Sequence, residues 1–128
     1  MTTHRRSFIA RASRIALALS AVAGLGLAQA QSTTRILVGF PAGGGTDAVA
    51  RILAERLQGE LGGGFVVENK AGAGGQLAAQ ALKAAAPDGH TLFLSHDHSV
   101  SILPLTMKNP GFDPAKDFVP VAGFATFV

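Results

Sequence analysis

Between Arg35 and Ser95 the spacing of apolar residues changes period four times, and every change falls on a glycine cluster or a proline. Arg35 to Phe40 (RILVGF) is a short β-branched run suited to a strand buried on both faces. Asp47 to Leu61 then has helical periodicity, with Val49, Ala50, Leu53, Leu57 and Leu61 on one face. Thr46 is placed to cap that helix, and Asp47 suits the positive end of its dipole. Arg51–Glu55 and Arg56–Glu60 are spaced to pair on its solvent side. Gly62 to Gly64 ends the helix, Phe65 to Glu68 reads as a second strand, and Asn69 to Gly75 as a loop. Gln76 to Ala85 is an alanine-rich helix stopped by Pro87, and Thr91 to Ser95 a third strand. Beyond it, Pro104, Pro110, Pro114 and Pro120 mark irregular chain, with one more strand expected at Val119 to Phe124. The order β-α-β-α-β predicts an α/β fold with a parallel sheet, whose ligands sit beyond the carboxyl ends of the strands. Three loops leave those ends: Pro41 to Asp47, Asn69 to Gly75 and Ser95 to Ser99.

Residues 1–30 read differently. A basic stretch from His4 to Arg14 precedes an apolar run, Ile15 to Leu27, and then Ala28-Gln29-Ala30. That is the pattern of a cleavable secretory signal, which predicts a mature start at Gln31 and a periplasmic location. The apolar run, about 13 residues, is short of the roughly 20 that a membrane-spanning helix needs. Arg5-Arg6-Ser7-Phe8-Ile9 resembles a twin-arginine signal, although His4 and Ala10 depart from it, so the general and twin-arginine routes both stay open. The segment also carries Arg5, Arg6, Arg11 and Arg14 with no acidic residue, and so accounts for the net charge of +3 on the 128-residue chain. Residues 31–128 hold seven basic and eight acidic side chains, which removes the case for nucleic acid as a partner. They amount to one small domain at most, without cysteine and so without disulfides.

Pro41-Ala42-Gly43-Gly44-Gly45-Thr46-Asp47 joins a buried strand to a helix start. Bare amides and the positive dipole end make such a place an anion site, and glycines admit a ligand close to the backbone. A plain reversing turn is the alternative. No Lys-Ser/Thr pair follows, so a phosphate-binding P-loop is excluded. Gly43-x-Gly45-x-x-Ala48, with Glu68 about 20 residues on, formally fits a dinucleotide fingerprint, and a Rossmann-type enzyme fragment is the competing reading. Against it, Asp47 places a carboxylate where the pyrophosphate would lie. His96-Asp97-His98, with His90 nearby, has the residue types of a zinc or copper site but lacks further ligands. Ser95, Ser99 and Ser101 near these histidines form no nucleophile elbow.

Five ordered strings carry a resemblance: Phe40 to Asp47, Ala50-Arg51, Val67 to Gly75, Ala86 to Leu92, and Phe112-Asp-Pro with Lys116 to Pro120. Together they resemble the tripartite tricarboxylate transporter substrate-binding proteins, the Bug-type receptors. The resemblance implies a two-lobed periplasmic-binding-protein-like fold that closes on a small carboxylate or related metabolite and passes it to membrane permease subunits. It implies no catalysis and no cofactor. Carried over by position, Ala42, Gly43, Gly44, Gly45, Thr46 and Asp47 form the loop whose amides hold a ligand carboxylate. Phe40 lines the cleft, and Ser95 and His96 belong to a second ligand-facing loop. His90 stands where the family has Tyr, and His96-Asp97-His98 is more charged than the family's small residues, with Asp97 suited to an amine or polar group. Family members run to more than twice this length. The resemblance therefore places residues 31–128 in an incomplete first lobe, as a truncated gene product or an incomplete sequence, and leaves open whether this chain is active by itself.

Overall fold

The computed structural model describes residues 33–126, and the signal segment lies outside them. Three strands, β1 (Thr33–Val38), β2 (Gly64–Asn69) and β3 (Thr91–Leu94), form one sheet in the order β2-β1-β3, with both pairings parallel. Central β1 carries the strongest apolar run, as a strand buried on both faces requires. Ile36, Leu37 and Val38 are each 1% exposed or less.

Helix α1 (Gly45–Leu61) covers one face of the sheet. Its Ala50 and Ala54 pack with Ile36, Val38 and Leu94, flanked by Val49, Leu53 and Leu57. Small alanines at the contact let the helix backbone approach the sheet closely. Leu61, expected on this face, is 72% exposed instead, because the last turn runs past the sheet edge. Helix α2 (Gln76–Lys83), with the short α3 (Leu103–Thr106) and α4 (Pro114–Asp117), follows the other connections. A second core of Ala79, Leu103 and Phe112, joined by Phe93, Met107 and Phe118, includes residues of α2, α3 and β3. Leu92 and Leu94 join the α1 core while Phe93 joins this one, the alternation a strand imposes.

Several expectations are corrected. Thr46 does not cap α1: the cap position is Gly44, and no side chain supplies a capping bond. Glycine there is held by the turn before it, so the helix begins two residues earlier than a threonine cap allows. Arg51 bonds Asp47 one turn back rather than Glu55, since the buried carboxylate offers a better-held partner. Strand β2 extends to Asn69, and Ala73–Gly75 is a single 3₁₀ turn leading into α2, which stops at Lys83. The strand expected at Val119 to Phe124 does not form; those residues have no regular structure, are exposed and pair with no strand. An apolar run becomes a strand only where its backbone is paired, and these residues pair with neither open edge of the sheet.

Candidate functional site

The site residues expected from the sequence gather at the carboxyl ends of the strands, where loop 1 (39–44), loop 2 (70–75) and loop 3 (95–97) follow β1, β2 and β3. Loop 1 is fixed from beneath by Asp47, which is 3% exposed. Its Oδ2 accepts the Gly43 amide at 2.8 Å and Arg51 Nε at 2.9 Å, and its Oδ1 accepts Asn69 Nδ2 at 2.9 Å. Asn69 Nδ2 also donates to the Phe40 carbonyl at 3.1 Å. The Arg51 guanidinium, then the Gly43 amide and Asn69, hold the Asp47 carboxyl well below the usual carboxylate range. Asp47 is thus a permanent anion whose lone pairs are engaged by its own chain. An amine contact through Asp47 is not what this geometry offers.

The same network decides which amides are free. Gly43 donates to Asp47, and Gly44 donates to the Pro41 carbonyl at 3.3 Å. The expectation that these two amides face a ligand is therefore corrected: they close the loop. The first intrahelical backbone bond is Ala48 N–H to the Gly44 carbonyl at 3.0 Å. The amides of Gly45, Thr46 and Asp47 precede it and have no intrahelical acceptor, as the first turn of any helix dictates. Gly45 is exposed, with open space where a Cβ would stand.

Loop 3 supplies the facing wall. The His96 ring stacks on Phe40, centroids 4.6 Å apart and planes inclined by 26°. A cavity of about 340 Å³ lies between the start of α1 and loop 3. Thr46, Ser95 and His96 line it, with Val49 and Leu94 as its apolar floor and residues 122–126 along its rim. Of the expected site residues, these three meet in one place, and Phe40 reaches it through the stack. Ala42, Gly43, Gly44 and Gly45 lie on the exposed loop surface and do not line the cavity, nor does Asp47.

The competing readings are not assembled. Glu68, the acid a dinucleotide ribose would need, is paired with Lys70 at 2.7 Å and Arg35 at 3.5 Å. His90 lies against Thr34 Oγ1 at 3.2 Å instead of joining His96 and His98. Among the described residues no three metal-ligating side chains come together.

Residues 49–128 match the model of the tripartite tricarboxylate transporter family receptor. The chain belongs to this family. A UPF0065 protein from the gbd 5' region of Cupriavidus necator is 42% identical, over 94% of this chain and 39% of its own. Protein BugT of Bordetella pertussis is also 42% identical, over 69% of this chain and 27% of its own. Among solved structures, the periplasmic binding protein BugD superposes with a TM-score of 0.61 at 45% identity, covering 64% of this chain and 27% of its own. MatC from Rhodopseudomonas palustris, solved with bound malate, gives 0.63 at 42% identity, covering 70% and 30%. The chain thus spans between 27% and 39% of the length of these relatives. The α/β fold with a parallel sheet matches that of these periplasmic binding proteins. The dinucleotide reading finds no support among them.

Sequence reasoning missed Asn69, Arg51 and Ser99 as residues that hold these loops. An asparagine directly after a strand, beside a buried acid, was the available signal for the first two. Ser99, fully buried, was noticed only as a nucleophile candidate.

Proposed function

We propose that this family member serves as a periplasmic solute-binding receptor that holds a small carboxylate and presents it to membrane permease subunits of a tripartite tricarboxylate transport system. Residues 1–30 serve as its export signal, cleaved before Gln31. The observation that carries the reading is a helix start whose amides at Gly45, Thr46 and Asp47 have no intrahelical acceptor, with Thr46 lining one cavity together with Ser95 and His96. A carboxylate there meets several donors at the positive end of a 17-residue helix. The malate in MatC supports a dicarboxylate as the first ligand to try. The reading asks for binding and release only, with no chemistry on the ligand and no prosthetic group.

Gly45→Pro tests it cleanly. Proline is favoured at the first helical position, where its missing N–H breaks no helix bond. The preceding Gly44 is already extended at φ −78°, ψ 169°, the conformation a following proline demands. The variant should therefore fold normally and lose one amide donor to the ligand. A hydrogen bond to a charged group is worth about 1.5–3 kcal/mol, so affinity should fall about ten- to a hundred-fold. Calorimetric titration with malate and a panel of mono-, di- and tricarboxylates reads this. Equal affinity in wild type and Gly45→Pro removes the α1 amides from the site, and no binding to any member of the panel removes the carboxylate reading.

A further inference from the structure

Loop 2 makes none of the proposed ligand contacts, yet both ligand-facing loops are fastened to it. On the loop 1 side, the Lys70 amide donates to the Val38 carbonyl at 2.8 Å. Gly39 approaches Gly75 so closely that a Cβ on Gly39 would lie 2.6 Å from Gly75 Cα. On the loop 3 side, Ser99 is 0% exposed and donates from Oγ to the Gly74 carbonyl at 2.7 Å. The Ser99 amide donates to the His96 carbonyl at 3.2 Å, which joins this bond to the wall of the cavity. There is no room for slack at the contact. A Cβ on Gly75 would collide with Ser99 Oγ, and one on Gly74 would lie 2.7 Å from His98 Nε2.

Two backbone features set this contact apart from ordinary packing. Ala73, Gly74 and Gly75 are left-handed in succession, at φ 46°, 65° and 95°. Ala73 is the one residue other than glycine in that region among those described. Such conformations persist only where the surroundings over-determine them, and they concentrate at binding sites. Ser99 itself belongs to a π-helical turn, His98–Ile102, capped by the Asp97 carboxylate on the His98 amide at 2.9 Å. Single π turns likewise concentrate at functional sites.

We propose that Ser99 is a positioning residue: by bonding Gly74 it fixes where loop 3 sets the His96 ring against Phe40, and so the shape of the ligand-facing wall. The functional half of this inference rests on the carboxylate-receptor reading; the geometric half does not. Alanine at 99 leaves the Gly74 carbonyl without its donor and frees loop 3 from loop 2. Cysteine keeps the side chain's length with a weaker donor.

The test uses the purified protein and the ring protons of its histidines by proton–carbon NMR, with His96 assigned through His96→Gln. A Phe40 ring 4.6 Å away shifts the His96 ring protons upfield, and Phe40→Leu gives the value without that ring. In Ser99→Ala the His96 resonance should move at least half of the way to the Phe40→Leu value, while a dispersed amide spectrum shows that the fold persists. Ser99→Cys should fall between and decides the matter if Ser99→Ala does not fold. Thr106→Ala is the control: it removes hydroxyl bonds to the Ile102 and Leu103 carbonyls, and should lower stability without moving His96. Malate affinity in Ser99→Ala should be about three- to tenfold weaker, the effect of re-ordering a side chain or two on binding. An unmoved His96 resonance in folded Ser99→Ala overturns the proposal. A moved resonance with unchanged malate affinity overturns its functional half. A wild type that binds no malate counts against malate as ligand, while the resonance still decides what Ser99 does.

Discussion

Gly39→Ala is the substitution whose effect can be worked most directly from the structure. The added methyl would stand 2.6 Å from Gly75 Cα, 3.4 Å from its carbonyl oxygen and 3.5 Å from its carbonyl carbon. Carbon atoms pack best at about 3.5–4.0 Å, so the two segments must separate by roughly 1 Å. Both sides of the contact are backbone, and no side chain can swing aside to relieve it. Separation would also strain the Lys70–Val38 and Asn69–Phe40 bonds, which join the ends of β1 and β2 where these loops begin. Overpacking of this kind costs about 1–3 kcal/mol, and a rigid contact belongs at the upper end. For a domain of about 100 residues each kcal/mol moves the melting temperature by roughly 4–8 °C, so a fall of about 10–20 °C is expected. Gly59→Ala is the matched control of opposite sign. Gly59 lies inside α1, exposed, with nothing within 4 Å of its would-be Cβ. Replacing a helical glycine there should stabilise by about 0.5–1 kcal/mol, or a few degrees. Circular-dichroism melts and urea titrations of the three proteins give both numbers. A Gly39→Ala protein that melts with wild type would show that loops 1 and 2 are not in rigid contact, and would refute the reasoning.

Acid should destabilise the protein through carboxylates held below their ordinary range. Asp47 is held down chiefly by Arg51, Glu68 by Lys70, Asp113 by Lys116 and Asp117 by Lys83. Groups with depressed folded values contribute stability that is complete above their unfolded values, and that is lost as pH falls through the folded ones. Urea midpoints should therefore fall below about pH 4, and less steeply in Asp47→Asn; a flat profile there would contradict the assignment. Edman or mass analysis of exported material should find Gln31 as the first residue, and a retained Met1 on soluble cytoplasmic protein would refute processing.

The architecture was legible because it follows from periodicity. Buried strands of β-branched residues and a helix with an apolar stripe leave a parallel sheet as the consistent assembly, and β1, α1 and β3 lie within two residues of where the pattern puts them. The failures have a common cause. Thr46 has the chemistry of a cap, and Val119 to Phe124 the composition of a strand, but each outcome depends on partners remote in sequence. The turn held by Asp47 moves the helix start to Gly45, and the segment after Pro120 pairs with neither open edge of the sheet. The site was legible only in part. Glycines announced a loop that a ligand could approach, and Thr46, Ser95 and His96 do share one cavity. The direction of each amide was not legible, because it is fixed by Asn69, 22 residues from Asp47 in the chain.

Asp47 poses the sharpest physical question, since a buried carboxylate at the head of a helix should repel the anion that the same helix end attracts. The geometry resolves it. Arg51, one helical turn on, pairs with the carboxylate at 2.9 Å and compensates its charge. The carboxylate's other bonds go to the Gly43 amide and to Asn69, and it does not line the cavity that Thr46 lines. A pair of opposite charges leaves only a dipolar field, which falls off faster with distance than that of either charge alone. The amides of Gly45 and Thr46 meanwhile keep their full partial charge at the surface. Drawing the Gly43 amide inward also makes loop 1 turn sharply, and that turn lets the helix begin at Gly45. On the proposed reading the negative charge at this position is therefore compatible with anion binding: it shapes the loop before the helix, and its partner cancels its reach.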